Sequence, residues 1–133
     1  MSREEATPEP SHIACVGASA GGLEAIKSFF TNMPVKNNLA FVVIQHLSPD
    51  HKSLMVEILP KKTKIPVLRA EDSMKVEAGT IYLIPPRKNL TVFHGKLLLQ
   101  EQELTRGINL PIDVFLRSLA EDQGEKAVAI ILS

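Results

Sequence analysis

Short, continuously apolar runs alternate with stretches of helical spacing along this chain, and this alternation predicts a fold class. The apolar runs occupy residues 12–16, 39–44, 80–84 and 127–132. Continuous apolar runs are typical of strands that are buried on both faces of a parallel sheet, whereas half-exposed strands alternate apolar and polar residues. We therefore predict strands at these four places in a mainly parallel sheet.

The stretches between the runs have the periodicity of helices. Apolar residues recur on one helical face in residues 23–30, in about 51–59 and in 111 to about 122. Strand, helix and strand within residues 12–44 form a βαβ unit, which requires parallel pairing of its two strands.

Smaller elements complete the pattern. Residues 65–69 predict a short strand at an edge of the sheet, since Pro66 has no backbone N–H to donate to a neighbouring strand. Residues 90–93 and 96–99 flank His94 and Gly95, the pattern of a β-hairpin whose glycine supplies a positive φ. The sequence thus predicts a three-layer α/β fold with a mainly parallel sheet and a β-hairpin insertion.

Composition places the chain among ordinary globular proteins. It has 133 residues, 44% of them hydrophobic, and its fifteen basic residues balance its fifteen acidic ones. No basic stripe with interleaved aromatics indicates nucleic acid as a partner. We divide the chain into a polar leader at 1–11 and a domain at 12–133.

Targeting signals and cysteine use predict a cytoplasmic chain with no membrane insertion. The leader lacks the apolar segment of a secretory signal, and no apolar run approaches the roughly 20 residues that span a bilayer. The single cysteine, Cys15, lies within the first apolar run. We expect it to be a buried core residue in a reducing compartment, without a catalytic role.

The candidate chemistry begins directly after the first strand, where residues 16–22 contain three glycines and Ser19. A serine hydroxyl held at a helix N-terminus is suited to attack an ester, since nearby backbone amides stabilise the oxyanion that forms. Ser19 is equally suited to be an N-cap in a structural turn, or to lie in an anion-binding turn. A dinucleotide turn fits poorly, since Ser19 occupies the position of its second glycine. No Gly-Lys-Ser/Thr follows, so a P-loop is excluded.

His46 is the best candidate for a general base among the four histidines. It follows the second apolar run, and the carboxyl ends of neighbouring parallel strands share one edge of the sheet. The alternative is that His46 only binds backbone in its loop. His51 is the second choice. His12 begins the first strand and His94 lies in the predicted hairpin turn, so we expect neither to approach Ser19.

An acid that orients the histidine is harder to identify. Asp50 fits a helix N-cap, Asp113 lies in the first turn of a predicted helix, and Asp72 and Asp122 fall in solvated segments. The best place for the acid is a loop after the run at 127–132, which would lie beyond this chain.

Two sequence segments, one around Ser19 and one around His46, resemble those of a known family. The Gly-x-Ser-x-Gly string at 17–21 also occurs in α/β-hydrolases, but there the histidine follows the acid late in the chain. In contrast, residues 16–23 and 43–47 resemble the CheB-type chemotaxis receptor methylesterases. The resemblance continues through 78–86, 113–118 and 127–133, and so covers essentially everything from residue 13 onward.

The resemblance implies a set of functional residues. The nucleophile falls on Ser19, the base on His46, and the oxyanion donor on the backbone of Ala20, where the family commonly has threonine. The family's aspartate lies in a Gly-x-Gly-x-Asp-Gly loop after the strand that matches 127–132. The chain stops before this loop, so we expect a methylesterase-like, Rossmann-like fold that is incomplete at the C-terminus.

The implied reaction is hydrolysis of glutamate γ-methyl esters on the helical cytoplasmic region of methylated chemotaxis receptors. Methanol leaves, and glutamine deamidation is the related acyl reaction. No metal or cofactor is implied. Residues 48–53 most resemble members fused to a receptor methyltransferase, which predicts such a domain downstream. The short leader predicts no receiver domain, and hence no control by phosphorylation in cis.

Two alternatives remain open at this point. A truncated or degenerate domain would bind the receptor without hydrolysing it, and an anion-binding βαβ module would have no catalytic role. If the chain ends at Ser133, we expect Val128, Ile130 or Leu132 to be exposed, with low stability or self-association as the result.

Overall fold

The computed structural model of the protein describes residues 9–45, 55–102 and 110–132. Strands and helices follow one another in the predicted order, except that the short strand β4 was not predicted. They are β1 (His12–Ala18), α1 (Leu23–Thr31), β2 (Leu39–Gln45), α2 (Met55–Ile58), β3 (Val67–Arg69), β4 (Met74–Lys75), β5 (Thr80–Leu83), β6 (Lys88–Phe93), β7 (Lys96–Glu101), α3 (Pro111–Gln123) and β8 (Ala127–Leu132). The first part of the helix predicted at 51–59 lies outside the described residues. Of the described helices, none combines the length and the apolar character needed to span a membrane.

The main sheet has five strands in the order β3-β5-β2-β1-β8, and every neighbouring pair is parallel. The strand β1 therefore lies between β2 and β8. Its last residue, Ala18, is opposite Gln45 of β2 on one side and Leu132 of β8 on the other. The predicted parallel sheet is confirmed, and it brings three strand ends to one edge.

Helices and a second sheet cover the two faces of the main sheet. Alternate side chains of β1 enter different clusters, since Ile13 and Cys15 pack on one face and Ala14 and Val16 on the other. Phe30 of α1 belongs to the second cluster, together with Met55 of α2. The first cluster contains residues of α3 and of the hairpin strands. The predicted three layers are confirmed.

The second sheet is antiparallel, with the order β4-β7-β6, and contains the predicted hairpin. Gly95 has a φ of 74°, as expected, but His94 also has a positive φ, of 52°. Tight two-residue hairpin turns of type I′ require positive φ at both positions. Tyr82 of β5 connects the two sheets, because its hydroxyl accepts from the Glu77 N–H at 2.8 Å and donates to the Lys75 carbonyl at 3.2 Å.

Asp122, predicted to lie in a solvated segment, anchors the hairpin turn to α3. Its two carboxylate oxygens accept hydrogen bonds from the N–H groups of His94, at 2.6 Å, and Gly95, at 3.0 Å. Asp72 acts in a similar way, accepting from the Leu99 N–H at 2.8 Å. These partners are far apart in sequence, so no local pattern pointed to them. Partial burial acts to raise the pKa of Asp122, but hydrogen bonds from Gln123, Gly95 and His94 outweigh it and lower the pKa.

Replacing Asp122 by alanine is expected to destabilise the hairpin by about 1 to 2 kcal/mol, because two backbone N–H groups lose a charged acceptor. Since the folded-state pKa is lowered, this stabilisation is fully present above the unfolded carboxyl pKa of about 3.9 and is lost as pH falls through the folded value. Amide hydrogen exchange at His94 and Gly95 measures it. The exposed Asp113 provides a matched control, Asp113→Ala, and equal exchange in both variants would contradict the anchoring role.

The strand β8 differs from its prediction, because it is not buried on both faces. It forms an edge of the main sheet among the described residues, and Val128 and Ile131 are 36% and 64% exposed. Exposure of Val128 was predicted, whereas Ile130 and Leu132 are half-buried against the α1 face and Ile131 is the more exposed residue. An all-apolar sequence does not reveal which strand lies at an edge.

Candidate functional site

Ser19 follows β1 at the carboxyl edge of the main sheet and is exposed. Its backbone is extended, with φ −74° and ψ 175°, and it precedes a 3-10 turn at Ala20–Gly22. The turn closes when the Gly22 N–H donates to the Ser19 carbonyl at 2.9 Å. Ser19 occupies the N-cap position, but its side chain makes no capping hydrogen bond. The N-cap alternative is therefore not supported by a hydrogen bond from the Ser19 side chain to the turn.

None of the glycines around Ser19, which are Gly17, Gly21 and Gly22, has a positive φ, and two of them lie in close packing. A Cβ added to Gly22 would lie 2.7 Å from the Ala18 Cβ, a distance that real Cβ atoms do not adopt. A Cβ on Gly17 would lie 3.0 Å from the Ile112 side chain, whereas one on Gly21 would meet nothing within 4 Å. Gly22 lets the chain fold back tightly over the end of β1.

The strand β2 ends beside the Ser19 turn. Gln45 pairs with Ala18, and its side-chain Nε2 donates to the Ser19 carbonyl oxygen at 3.3 Å. His46 follows Gln45 in the sequence but lies outside the described residues. The predicted approach of His46 to Ser19 therefore stays a prediction, supported by the neighbouring ends of the strands that precede them. His51, the second choice, also lies outside the described residues.

The other two histidines lie at the opposite edge of the sheet, as predicted. His12 begins β1, and its Nδ1 is 3.2 Å from the Ser11 Oγ. His94 lines a cleft of about 320 Å³ together with Ile13, which is at the start of β1. The length of β1 separates both from Ser19.

No aspartate among the residues that the structure describes is identified as the catalytic acid. Asp72 and Asp122 bind backbone N–H groups. Asp113 is exposed in the first turn of α3, beside Ile112, whose side chain packs near Gly17. Asp50 lies outside the described residues. Asp113 thus stands near the Ser19 edge without a demonstrated partner.

Cys15 is fully buried, as predicted, on the face of the sheet that α3 covers. Burial raises the pKa of the Cys15 thiol to about 12, so the reactive thiolate is scarce at neutral pH. Within residues 9–45, 55–102 and 110–132, no three His, Cys, Asp or Glu side chains lie close enough to hold a metal ion together.

The chain was compared with known protein families. The family model "CheB methylesterase" matches residues 14–133. A protein-glutamate methylesterase/protein-glutamine glutaminase of Methanosarcina acetivorans is 25% identical over 132 residues, which is 93% of this chain and 37% of that protein. An uncharacterised 104.1 kDa protein of Rhodobacter capsulatus is 40% identical over 79 residues, 59% of this chain and 8% of that protein. The chain thus spans well under two thirds of these relatives.

The fold was also compared with solved structures. The catalytic domain of the CheB methylesterase of Thermotoga maritima superposes with a TM-score of 0.76 and is 26% identical. The alignment covers 90% of this chain and 66% of the solved domain. The α/β class and the mainly parallel sheet predicted from the sequence agree with this domain.

Proposed function

Since the chain belongs to the CheB methylesterase family, we propose that it carries the nucleophile of an enzyme that hydrolyses glutamate γ-methyl esters on methylated chemotaxis receptors. The relative from Methanosarcina acetivorans is named for this activity and for glutamine deamidation. Both reactions pass an acyl group from the substrate to water, so one site serves both.

The observation that carries the proposal is the Ser19 hydroxyl itself. It is exposed at the carboxyl edge of the sheet, where ligands of open α/β sheets bind, and it does not cap the turn that follows. The N–H of Ala20 begins that turn, and N–H groups in a first turn have no acceptor within it. A nucleophile and an oxyanion donor thus belong to neighbouring residues.

In the proposed reaction, the Ser19 Oγ forms a bond to the ester carbonyl carbon while His46 takes the hydroxyl proton. The Ala20 N–H stabilises the oxyanion. The intermediate then expels methoxide, which leaves as methanol with the proton from His46. Water attacks the acyl-enzyme, His46 takes its proton, and the Ser19 Oγ leaves with that proton.

A receptor-binding module without turnover is the second candidate function. It is favoured because Asp72 and Asp122 both bind backbone N–H groups of the second sheet. Loss of the orienting acid in a serine triad lowers turnover about 10⁴-fold. Receptor binding without methanol release would identify this function.

The test is reaction of the chain with a fluorophosphonate, together with methanol release from methylated receptor. We expect phosphonylation of Ser19 with loss of fluoride, and a rate about 10²- to 10⁴-fold lower in His46→Ala, because a general base contributes that much. The matched control is His94→Ala, at the opposite edge of the sheet, which should react like the parent. An unlabelled Ser19, or equal rates in the two histidine variants, would reject the proposed site.

A further inference from the structure

We propose that Gln45 is a positioning residue for the oxyanion site, because its side-chain amide sets the orientation of the peptide unit that joins Ser19 to Ala20. The inference rests on the proposed function, in which the Ser19 Oγ attacks and the Ala20 N–H holds the oxyanion. It gives a role to Gln45, the polar last residue of the otherwise apolar strand β2.

The Ser19 carbonyl oxygen accepts hydrogen bonds from two directions. The Gly22 N–H donates from within the turn at 2.9 Å, and the Gln45 Nε2 donates from the neighbouring strand at 3.3 Å. A carbonyl oxygen has two lone pairs, so these two donors can both be accommodated. The bond within the turn is local, whereas the bond from Gln45 fixes the carbonyl relative to the sheet.

A planar trans peptide unit links the carbonyl of Ser19 to the N–H of Ala20, and the two groups point in opposite directions. Whatever holds the Ser19 carbonyl therefore also aims the Ala20 N–H. A hydrogen bond to the carbonyl further polarises the unit and strengthens its N–H as a donor. Gln45 thus acts on the oxyanion donor through the peptide plane, without touching substrate.

The position of Gln45 explains why its side chain reaches the turn. It is half-buried at the last residue of β2, paired with Ala18, and directly precedes His46 in the sequence. One residue at this strand end thereby ties the Ser19 turn to the strand that leads to the proposed base. Glutamate at position 45 would be unable to donate when ionised, and methionine would fill similar space without a donor.

The experiment compares Gln45→Met and Gln45→Glu with the parent chain of 133 residues, with Gln100→Met on the exposed part of β7 as the matched control. Fluorophosphonate labelling of Ser19, followed by mass spectrometry, gives the rate. Loss of one hydrogen bond is expected to slow labelling about 3- to 10-fold in Gln45→Met. Gln45→Glu should be slower still, because its carboxylate faces the carbonyl oxygen. Gln100→Met should keep the parental rate.

The amide resonance of Ala20 in a ¹⁵N–¹H spectrum provides a second readout, because it reports directly on the peptide unit that joins Ser19 to Ala20. We expect it to shift in both Gln45 variants while the resonances of residues 13–16 in β1 stay in place. Parental labelling by Gln45→Met together with an unmoved Ala20 resonance would overturn the inference. If the parent itself is not labelled, the proposed function fails, and the Ala20 resonance alone then decides whether Gln45 positions the peptide. All spectra are recorded at a temperature below the thermal unfolding midpoint of each variant.

Discussion

Alanine at position 19 is expected to lower methanol release by about 10⁴- to 10⁶-fold, as loss of a serine nucleophile does in serine hydrolases. Without the Ser19 hydroxyl, no acyl-enzyme forms, and fluorophosphonate labelling at this position should vanish. Stability should change little, because the Ser19 side chain is exposed and makes no capping hydrogen bond. Thermal unfolding and labelling of the same sample measure both quantities.

Ser28→Ala is the matched control for this prediction. Ser28 is also exposed and lies on α1, so its replacement should leave both the labelling and the unfolding midpoint at parental values. Methanol release that persists in Ser19→Ala would show that another group attacks the ester, and the proposed nucleophile would be wrong.

Gly22→Ala is expected to affect stability and the reaction together. The new Cβ would lie 2.7 Å from the Ala18 Cβ, which is fixed to the backbone of β1 and cannot rotate away. Overpacking of this kind costs about 1 to 3 kcal/mol in unfolding free energy. Because the Gly22 N–H closes the turn on the Ser19 carbonyl, the displacement should also disturb Ser19 and slow its labelling.

Gly21→Ala tests whether space, rather than glycine as such, decides the outcome. A Cβ on Gly21 meets nothing within 4 Å, and its φ is not positive, so this variant should unfold within about 0.5 kcal/mol of the parent. Chemical denaturation of the two variants compares them directly. If Gly21→Ala were as destabilising as Gly22→Ala, the close contact with Ala18 would not be the cause.

The sequence was sufficient to predict the elements because their signals are local. The apolar run of β2 and the helical spacing of α1 each depend on a few neighbouring residues, and parallel pairing follows from joining two strands through a helix. The hairpin was predicted for the same reason, from one glycine between two apolar strands. Ser19 was placed at the correct strand end because a strand and the turn after it are contiguous in sequence.

The features that were missed depend on contacts between distant parts of the chain. Asp122 and Asp72 lie in solvated segments, as predicted, but nothing near them in sequence reveals that each binds the backbone of the second sheet. The exposure of Ile131 depends on its strand being at an edge, which an apolar sequence does not encode. The need for Gly22 depends on an approach to Ala18, visible only once β1 and the turn are folded.

The position of β1 between β2 and β8 has a consequence for the order of events during synthesis. Ala14 pairs early with Phe41, but its partner on the other side, Val128, leaves the ribosome much later. Translation proceeds at about 5 to 20 residues per second, so the side of β1 that pairs with β8 stays unpaired for seconds. Leu132 of β8 pairs with Ala18, next to Ser19, and its carbonyl approaches Gly22. Translation itself thus delays completion of the turn at Ser19, and we expect a nascent chain that ends before β8 to be unreactive towards esters.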